Sequence, residues 1–308
     1  MNDPVNRRAF LRSTASVAVG AALIGGASAG TLLVADPPAT KPKLRKAVKV
    51  GMIQEGKTFR EKFELIKSLG FEGVEMDSPS DANREEAKQA AADTGIVIHG
   101  TIDSVHWKQR FSDPDPAVRA AGLEALRTAI KDAAFYGADT VLVVPGAVRD
   151  PKNENFEQCW ERSQAEIKKA IPQAKDANVK IAIEVVWNLF ITQPDQLVKY
   201  VDDFQDPTVG AYFDISNMIR FGFPPQEWIR KLGKRMLKFD FKGYKHANFM
   251  NGTSPWVKIG EGDEPWPQVH KALADVGYTG WATSEVPGGD KAELKDIAER
   301  MDKVLGLA

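Results

Sequence analysis

The sequence predicts a single parallel (β/α)8 (TIM) barrel, and three observations carry that prediction. Short apolar runs alternate with segments of helical periodicity, eight times over. The stretch they occupy, 47–308, has about 260 residues, the usual barrel size. The Gly-rich loop of a doubly wound sheet is missing, because "GEGDEPW" (260–266) lacks the G-x-G-x-x-G spacing.

The strands expected in order are "AVKVGMI" (47–53), "FEGVEM" (71–76), "GIVIHG" (95–100) and "TVLVVPG" (140–146). "KIAIEVV" (180–186), "VGAYFDI" (209–215), "MLKFDFK" (236–242) and "GWATSEV" (280–286) follow. Helices fall between and after them, the clearest at 117–137 and 292–307, where apolar residues recur at a spacing near 3.6. Gly95 and Gly137 each follow such a pattern, where a left-handed cap closes a helix.

The N-terminus is expected to lie outside the fold. Paired Arg7 and Arg8 precede an uncharged Ala/Gly/Val stretch that ends in the small-residue site "ASA" (27–29). Residues 1–29 therefore resemble a twin-arginine export signal, which implies a periplasmic mature protein, or a membrane-anchored one if the signal is retained. Residues 30–46, rich in Pro and Lys, are expected as a linker, and the mature domain itself is not expected to engage a membrane. With 41 basic against 42 acidic side chains, the chain offers no electrostatic footprint for nucleic acid. The single cysteine, Cys159, excludes a disulfide framework and a thiolate zinc cluster.

Four acids interrupt the apolar runs near their carboxyl ends: Glu184, Asp214, Asp240 and Glu285, on strands five to eight. Alternation along each strand points Ala182 and Glu184 at the barrel axis, with Ile181, Ile183 and Val185 toward the helices. On strand seven it turns Lys238, Asp240 and Lys242 inward and Leu237, Phe239 and Phe241 outward. Barrel active sites lie at the carboxyl ends of the strands, so the four carboxylates converge there. Converging carboxylates repel, and either a divalent cation or barrel lysines such as Lys238 and Lys242 must offset the charge. Four matching positions on consecutive strands point to a metal or substrate site.

These acids, with "EVVWN" after strand five and "GYTGWATSE" at strand eight, resemble the xylose isomerase-like barrels across 47–308. Within that superfamily the similarity is to the sugar phosphate isomerase/epimerase group, which includes ketose 3-epimerases and hydroxypyruvate isomerases. The resemblance implies one divalent cation, Mn2+ or Mg2+ with Co2+ as a further choice, held by Glu184, Asp214, Asp240 and Glu285. It also implies proton abstraction next to the carbonyl of a keto-sugar, with Glu184 and Glu285 as the acid/base pair and an ene-diolate between them. Two positions depart from the family pattern. Asp240 stands where an "H-x-K-D" motif supplies histidine, with Gly243 in place of its aspartate, and Asn217 replaces another histidine. An all-carboxylate set is harder and more anionic, favouring Mg2+, Mn2+ or Ca2+ over Zn2+.

Lys242 is expected to neutralise developing oxyanion charge or to bind a substrate hydroxyl. His246, Asn217, His99, His106, Trp107 and Glu75 complete the expected substrate-binding set. For His99 a satisfied core role is an equal alternative, and for Glu75 pairing with a barrel lysine is the commoner fate. Trp256 and Trp266 either wall the pocket or pack on the barrel, and His270 is expected to be structural. The expected partner is a small carbohydrate, with a homodimer or homotetramer as the assembly. An export signal argues for an unphosphorylated keto-sugar or a 3-keto-glycoside. Two other functions stay open on the sequence: a lyase or hydratase working by the same proton abstraction, and a non-catalytic sugar-binding barrel.

Overall fold

The structure is a computed structural model that describes residues 42–307. The expected export signal and most of the expected linker therefore lie outside the described residues. No described helix is long and apolar enough to cross a membrane.

The chain enters the barrel at Leu44–Lys49 (β1), three residues inside the segment expected as linker. The basic "LRK" reads as solvated, but Leu44 is buried and the Lys46 ammonium is buried too, 2.6 Å from Asp302. Phe59–Ser68 (α1), Gly73–Ser78 (β2), Arg84–Thr94 (α2), Val97–Asp103 (β3) and Pro116–Tyr136 (α3) follow. The chain continues through Thr140–Val143 (β4), Phe156–Lys168 (α4), Ile171–Asp176 (α5), Lys180–Glu184 (β5), Pro194–Asp202 (α6) and Val209–Asp214 (β6). Then come Pro225–Leu232 (α7), Met236–Phe241 (β7), Gly243–Tyr244 (β8), His246–Met250 (α8) and Trp256–Val257 (β9). Trp266–Asp275 (α9), Gly280–Ser284 (β10) and Lys291–Leu305 (α10) complete the fold. Eight strands close a parallel barrel in the order β1-β10-β7-β6-β5-β4-β3-β2, while β8 and β9 form a separate two-stranded antiparallel ribbon.

Local chemistry explains the boundaries. Thr58 and Glu61 cap α1 reciprocally, satisfying two amides that no helical carbonyl can reach. Asp115 caps α3, whose first residue is Pro116, and Gly137 ends that helix with φ at 77°. Outward residues of the strands, among them Ile181, Ile183, Phe213, Phe239 and Phe241, join the helices in one apolar shell. Trp228 of α7 stacks on Phe213 within it, at 5.6 Å between ring centroids. Burying each such side chain contributes about 1.5–3 kcal/mol.

The barrel interior is mostly polar, with a small apolar cluster of Ile102, Leu142, Ala182 and Tyr212. Leu237 departs from the expected parity: it packs over Gly210 and against this inner cluster rather than facing the helices. The register of β6 against β7 shifts between Ala211 and Tyr212, which offsets the alternation at that point.

Candidate active site

Glu184 is the last residue of β5, Asp240 the fifth of β7, and Glu285 the first residue beyond β10. These strand ends bring one carboxylate oxygen from each within 4.8 Å of the others. Glu184 and Asp240 are buried, and Glu184 Oε1 and Asp240 Oδ1 lack a hydrogen bond. Lys49, at the end of β1, supplies an ammonium 2.7 Å from Asp240 Oδ2 and 3.3 Å from Glu285 Oε1. Lys242, just past β7, contacts Glu285 on its other oxygen and lies 2.7 Å from Asp214 Oδ2.

Asp214, expected as a fourth ligand, stands outside the three-carboxylate cluster. Its Oδ2 faces Lys242, and its Oδ1 accepts the amides of Ser216 (2.8 Å) and Asn217 (2.7 Å). The carboxylate is thereby committed to the turn that follows β6. It fixes Lys242, and through Lys242 it steadies Glu285.

A cavity of about 500 Å3 opens over these groups, walled by His106, Trp107, Trp187, Asn217 and Trp256. Trp187 stacks on Trp256 at 4.7 Å and donates its Nε1 hydrogen to the Asn217 carbonyl at 2.7 Å. His106 is buried, and its Nδ1 has no hydrogen-bond partner. Burial first, and then Lys49, pull its pKa down to about 3, so the imidazole is neutral.

Other expected residues lie elsewhere. The third strand runs to Asp103, three residues past its expected end, which leaves His99 deep in the barrel. His99 stacks on Trp281 at 4.4 Å, and its Nδ1 and backbone carbonyl face the Lys238 ammonium. Glu75 shares that lower layer, where its Oε1 accepts the Tyr212 hydroxyl at 3.0 Å. Both residues sit beneath the cavity and do not line it. His246 opens α8 on the surface, with Tyr244 Oη 3.1 Å from its Nδ1, and it too is outside the cavity lining. Trp266 packs edge-on against Phe241, and His270 lies 2.8 Å from the Val304 carbonyl, a structural placement for both.

Sequence reasoning missed Lys49 and Trp187. The signal for Lys49 was present: alternation in β1 turns Ala47 and Lys49 inward, at the strand end where the acids sit. Trp187 belongs to the "EVVWN" that was singled out, but its ring was not assigned a role.

Glu184, Asp240 and Glu285 share their surroundings with two ammonium groups, and this sets their proton affinities. Burial, and then repulsion from Glu285, hold the Glu184 carboxyl well above the usual range. Burial raises Asp240 to about 8 in spite of Lys49. Burial acts the same way on Glu285, but Lys49 and Lys242 outweigh it and bring that carboxyl down to about 2. Burial opposes the charge of both lysines, yet their acidic neighbours outweigh it and hold them above their ordinary value.

The family model of the xylose isomerase-like TIM barrel matches residues 63–304. The chain belongs to that family. An L-ribulose-5-phosphate 3-epimerase of Salmonella paratyphi A is 25% identical over 283 residues, covering 84% of this chain and 97% of its own length. Its counterpart in Escherichia coli O1:K1 / APEC is 26% identical over the same shares. Among solved structures, a D-psicose 3-epimerase crystallised in the presence of D-fructose superposes with a TM-score of 0.68 at 20% identity, over 85% of this chain and 97% of that one. A 3-keto-D-glucoside 4-epimerase from E. coli superposes with a TM-score of 0.70 at 16% identity, over 86% and 99%. At these identities the structural matches establish the barrel. The lyase, hydratase and sugar-binding readings gain nothing from these relatives, which are named as epimerases.

For this family member, the donor set fits a divalent cation. Burial and neighbouring acids oppose ionisation of Glu184 and Asp240, a cost that a divalent cation between them would relieve. Within the cluster, the buried oxygens without a hydrogen bond belong to Glu184 and Asp240, two of the three acids that converge. Hard oxygen donors of this kind suit Mg2+ or Mn2+. Asp240, where histidine was expected, adds a charge, and Lys49 lies against it to offset that charge.

Proposed function

We propose that the protein is a sugar epimerase or isomerase that moves a proton on a carbon next to the ketone of an unphosphorylated keto-sugar. The observation that carries this reading is the convergence of Glu184 and Glu285 from separated strands of the barrel wall, on the floor of an aromatic-walled cavity. Glu184, Asp240 and Glu285 would hold a divalent cation, Mg2+ or Mn2+, with Asp214 positioning Lys242 beside them. When bound, the cation supplies Lewis-acid stabilisation of the charge that develops on the substrate oxygens.

Glu184 and Glu285 reach the site from separated strands and form the acid/base pair. One of the two accepts the proton from the carbon next to the ketone, and the other returns a proton to it. The Lys242 ammonium, anchored by Asp214, donates to the substrate oxygen as its charge grows. Neutral His106 and the Asn217 amide are placed to bind hydroxyls, while Trp107, Trp187 and Trp256 cover ring faces and exclude water.

A neutral substrate is favoured because both cations lining the cavity, Lys49 and Lys242, are already engaged by carboxylates. An exported, periplasmic location agrees with this choice of substrate. The test is exchange of solvent deuterium into a panel of free ketoses, followed by NMR with Mn2+ and with chelator. Exchange that needs the cation and disappears in Glu285→Gln is expected. Exchange unchanged in that variant would sink the assignment.

A further inference from the structure

Past Lys242, Trp256 and Glu285, the cavity runs into a second cleft of about 770 Å3, which those three residues also line. This cleft lies between the β8–β9 ribbon and the first half of α10, and no step of the proposed reaction uses it. Each compartment alone has the size of a small-molecule site. A single monosaccharide held at the carboxylates would leave the second one unfilled.

Resting on the keto-sugar reading above, we infer that the substrate is a glycoside, and that this second cleft holds the neutral group on the far side of the glycosidic bond. Three observations select that occupant. The first is continuity: Trp256 stands at the junction, 39% exposed, and is braced from behind by Trp187 at 4.7 Å. A rigid aromatic face at that point can stack on a ring that leaves the carboxylates. The second is the floor, where Val257, Ile259, Val286 and Ile297 offer apolar contact suited to the C–H face of a sugar or to an aromatic aglycone.

The third is the state of the charges. Lys258 lies 2.8 Å from Asp296, while Arg300 lies 2.9 Å from both Asp296 and Glu261. Both rim cations are therefore neutralised in place. A phosphate or carboxylate entering here would have to displace an acid already paired, whereas a neutral polyol can donate its hydroxyl hydrogens to the outer lone pairs of the paired carboxylates. The cleft thus discriminates by shape and apolar contact rather than by charge.

The inference is tested on the Mn2+-loaded protein with two variants that fill the cleft from its exposed edge, Ser254→Trp and Glu293→Trp, neither of which touches the carboxylates. Solvent deuterium exchange is measured in 3-keto-D-glucose and in its phenyl β-glycoside. Saturation-transfer NMR is recorded in parallel with phenyl β-D-glucoside, which does not react. Wild type should process the glycoside with a kcat/KM at least about tenfold above that of the free sugar. Both variants should remove that advantage and weaken transfer to the phenyl ring, with exchange in the free sugar unchanged. A glycoside no better than the free sugar, or fully active in both variants, overturns the inference and leaves the keto-sugar reading standing. If neither compound exchanges, the keto-sugar reading fails, and the NMR then decides the cleft alone. Transfer to the phenyl ring that is present in wild type and abolished by both substitutions supports it, and no transfer in wild type removes it.

Discussion

Replacing Glu184 by Gln should make the cation-free protein more stable and the cation-loaded protein less stable. Glu184 is buried, with an oxygen that no group satisfies, and its carboxylate lies within 4.8 Å of those of Asp240 and Glu285. At an effective dielectric near 20, two unit charges at that separation repel by about 3.5 kcal/mol. Lys49 and Lys242 offset part of this, and Glu285 is partly exposed, so about 1–2 kcal/mol is the net strain expected. Protonating Glu184 instead carries its own cost. A carboxyl whose folded-state pKa is raised adds most to stability below its unfolded value, and that contribution is lost as pH rises. Glutamine keeps the shape and removes both burdens. Urea unfolding at pH 7.5 in chelator should therefore show Glu184→Gln more stable than wild type by about 1–2 kcal/mol. With Mn2+ at a hundred times its dissociation constant, wild type should gain about 2.7 kcal/mol and the variant far less, so that the order reverses. A variant less stable than wild type in chelator would refute the reasoning. So would an equal gain from Mn2+ in both proteins.

Three further outcomes follow from individual contacts. Lys49→Met strips the ammonium from buried Asp240, and should cost the cation-free protein about 3 kcal/mol in urea unfolding while tightening Mn2+ binding at least about tenfold by calorimetry. Burial raises the Glu264 carboxyl to about 7, so its contribution to folding is present below about pH 4.5 and lost as pH climbs through 7. Stability of Glu264→Gln, which cannot ionise, should fall less than that of wild type between pH 5 and 8, by up to about 3 kcal/mol, read from urea midpoints across that range. Gly73→Ala places a methyl 2.4 Å from the Trp281 ring and 3.0 Å from His99, and should destabilise by at least about 2 kcal/mol in thermal or urea unfolding. Unchanged stability there would show that Trp281 is free to shift.

The barrel was legible because strands buried on both faces and amphipathic helices alternate without ambiguity, and because four acids in apolar runs have no inexpensive resting place. The errors in detail share one cause, the treatment of polar residues at strand ends. The pattern assigns "LRK" to the linker, although Lys46 reaches Asp302, a partner more than 250 positions away that no local pattern reveals. The pattern ends the third strand at Gly100, which puts the expected mouth of the barrel down at His99, whereas the strand runs on to Asp103 and the histidine that lines the cavity is His106, in the loop beyond it. Glu75 lies one layer below the site, in keeping with the structural alternative weighed for it rather than with substrate binding.

Lys49 is the more instructive omission. A buried acid announces a problem in the sequence, since its charge must be neutralised, but the neutralising group can come from any strand. Only closure of the barrel between β1 and β10 brings Lys49 beside Glu285 and, one strand further round, Asp240. Once it is there, the exchange of histidine for Asp240 no longer reads as decay of a metal site. A neutral donor has been replaced by an acid set against an ammonium, and the three carboxylates still converge where a divalent cation can meet them.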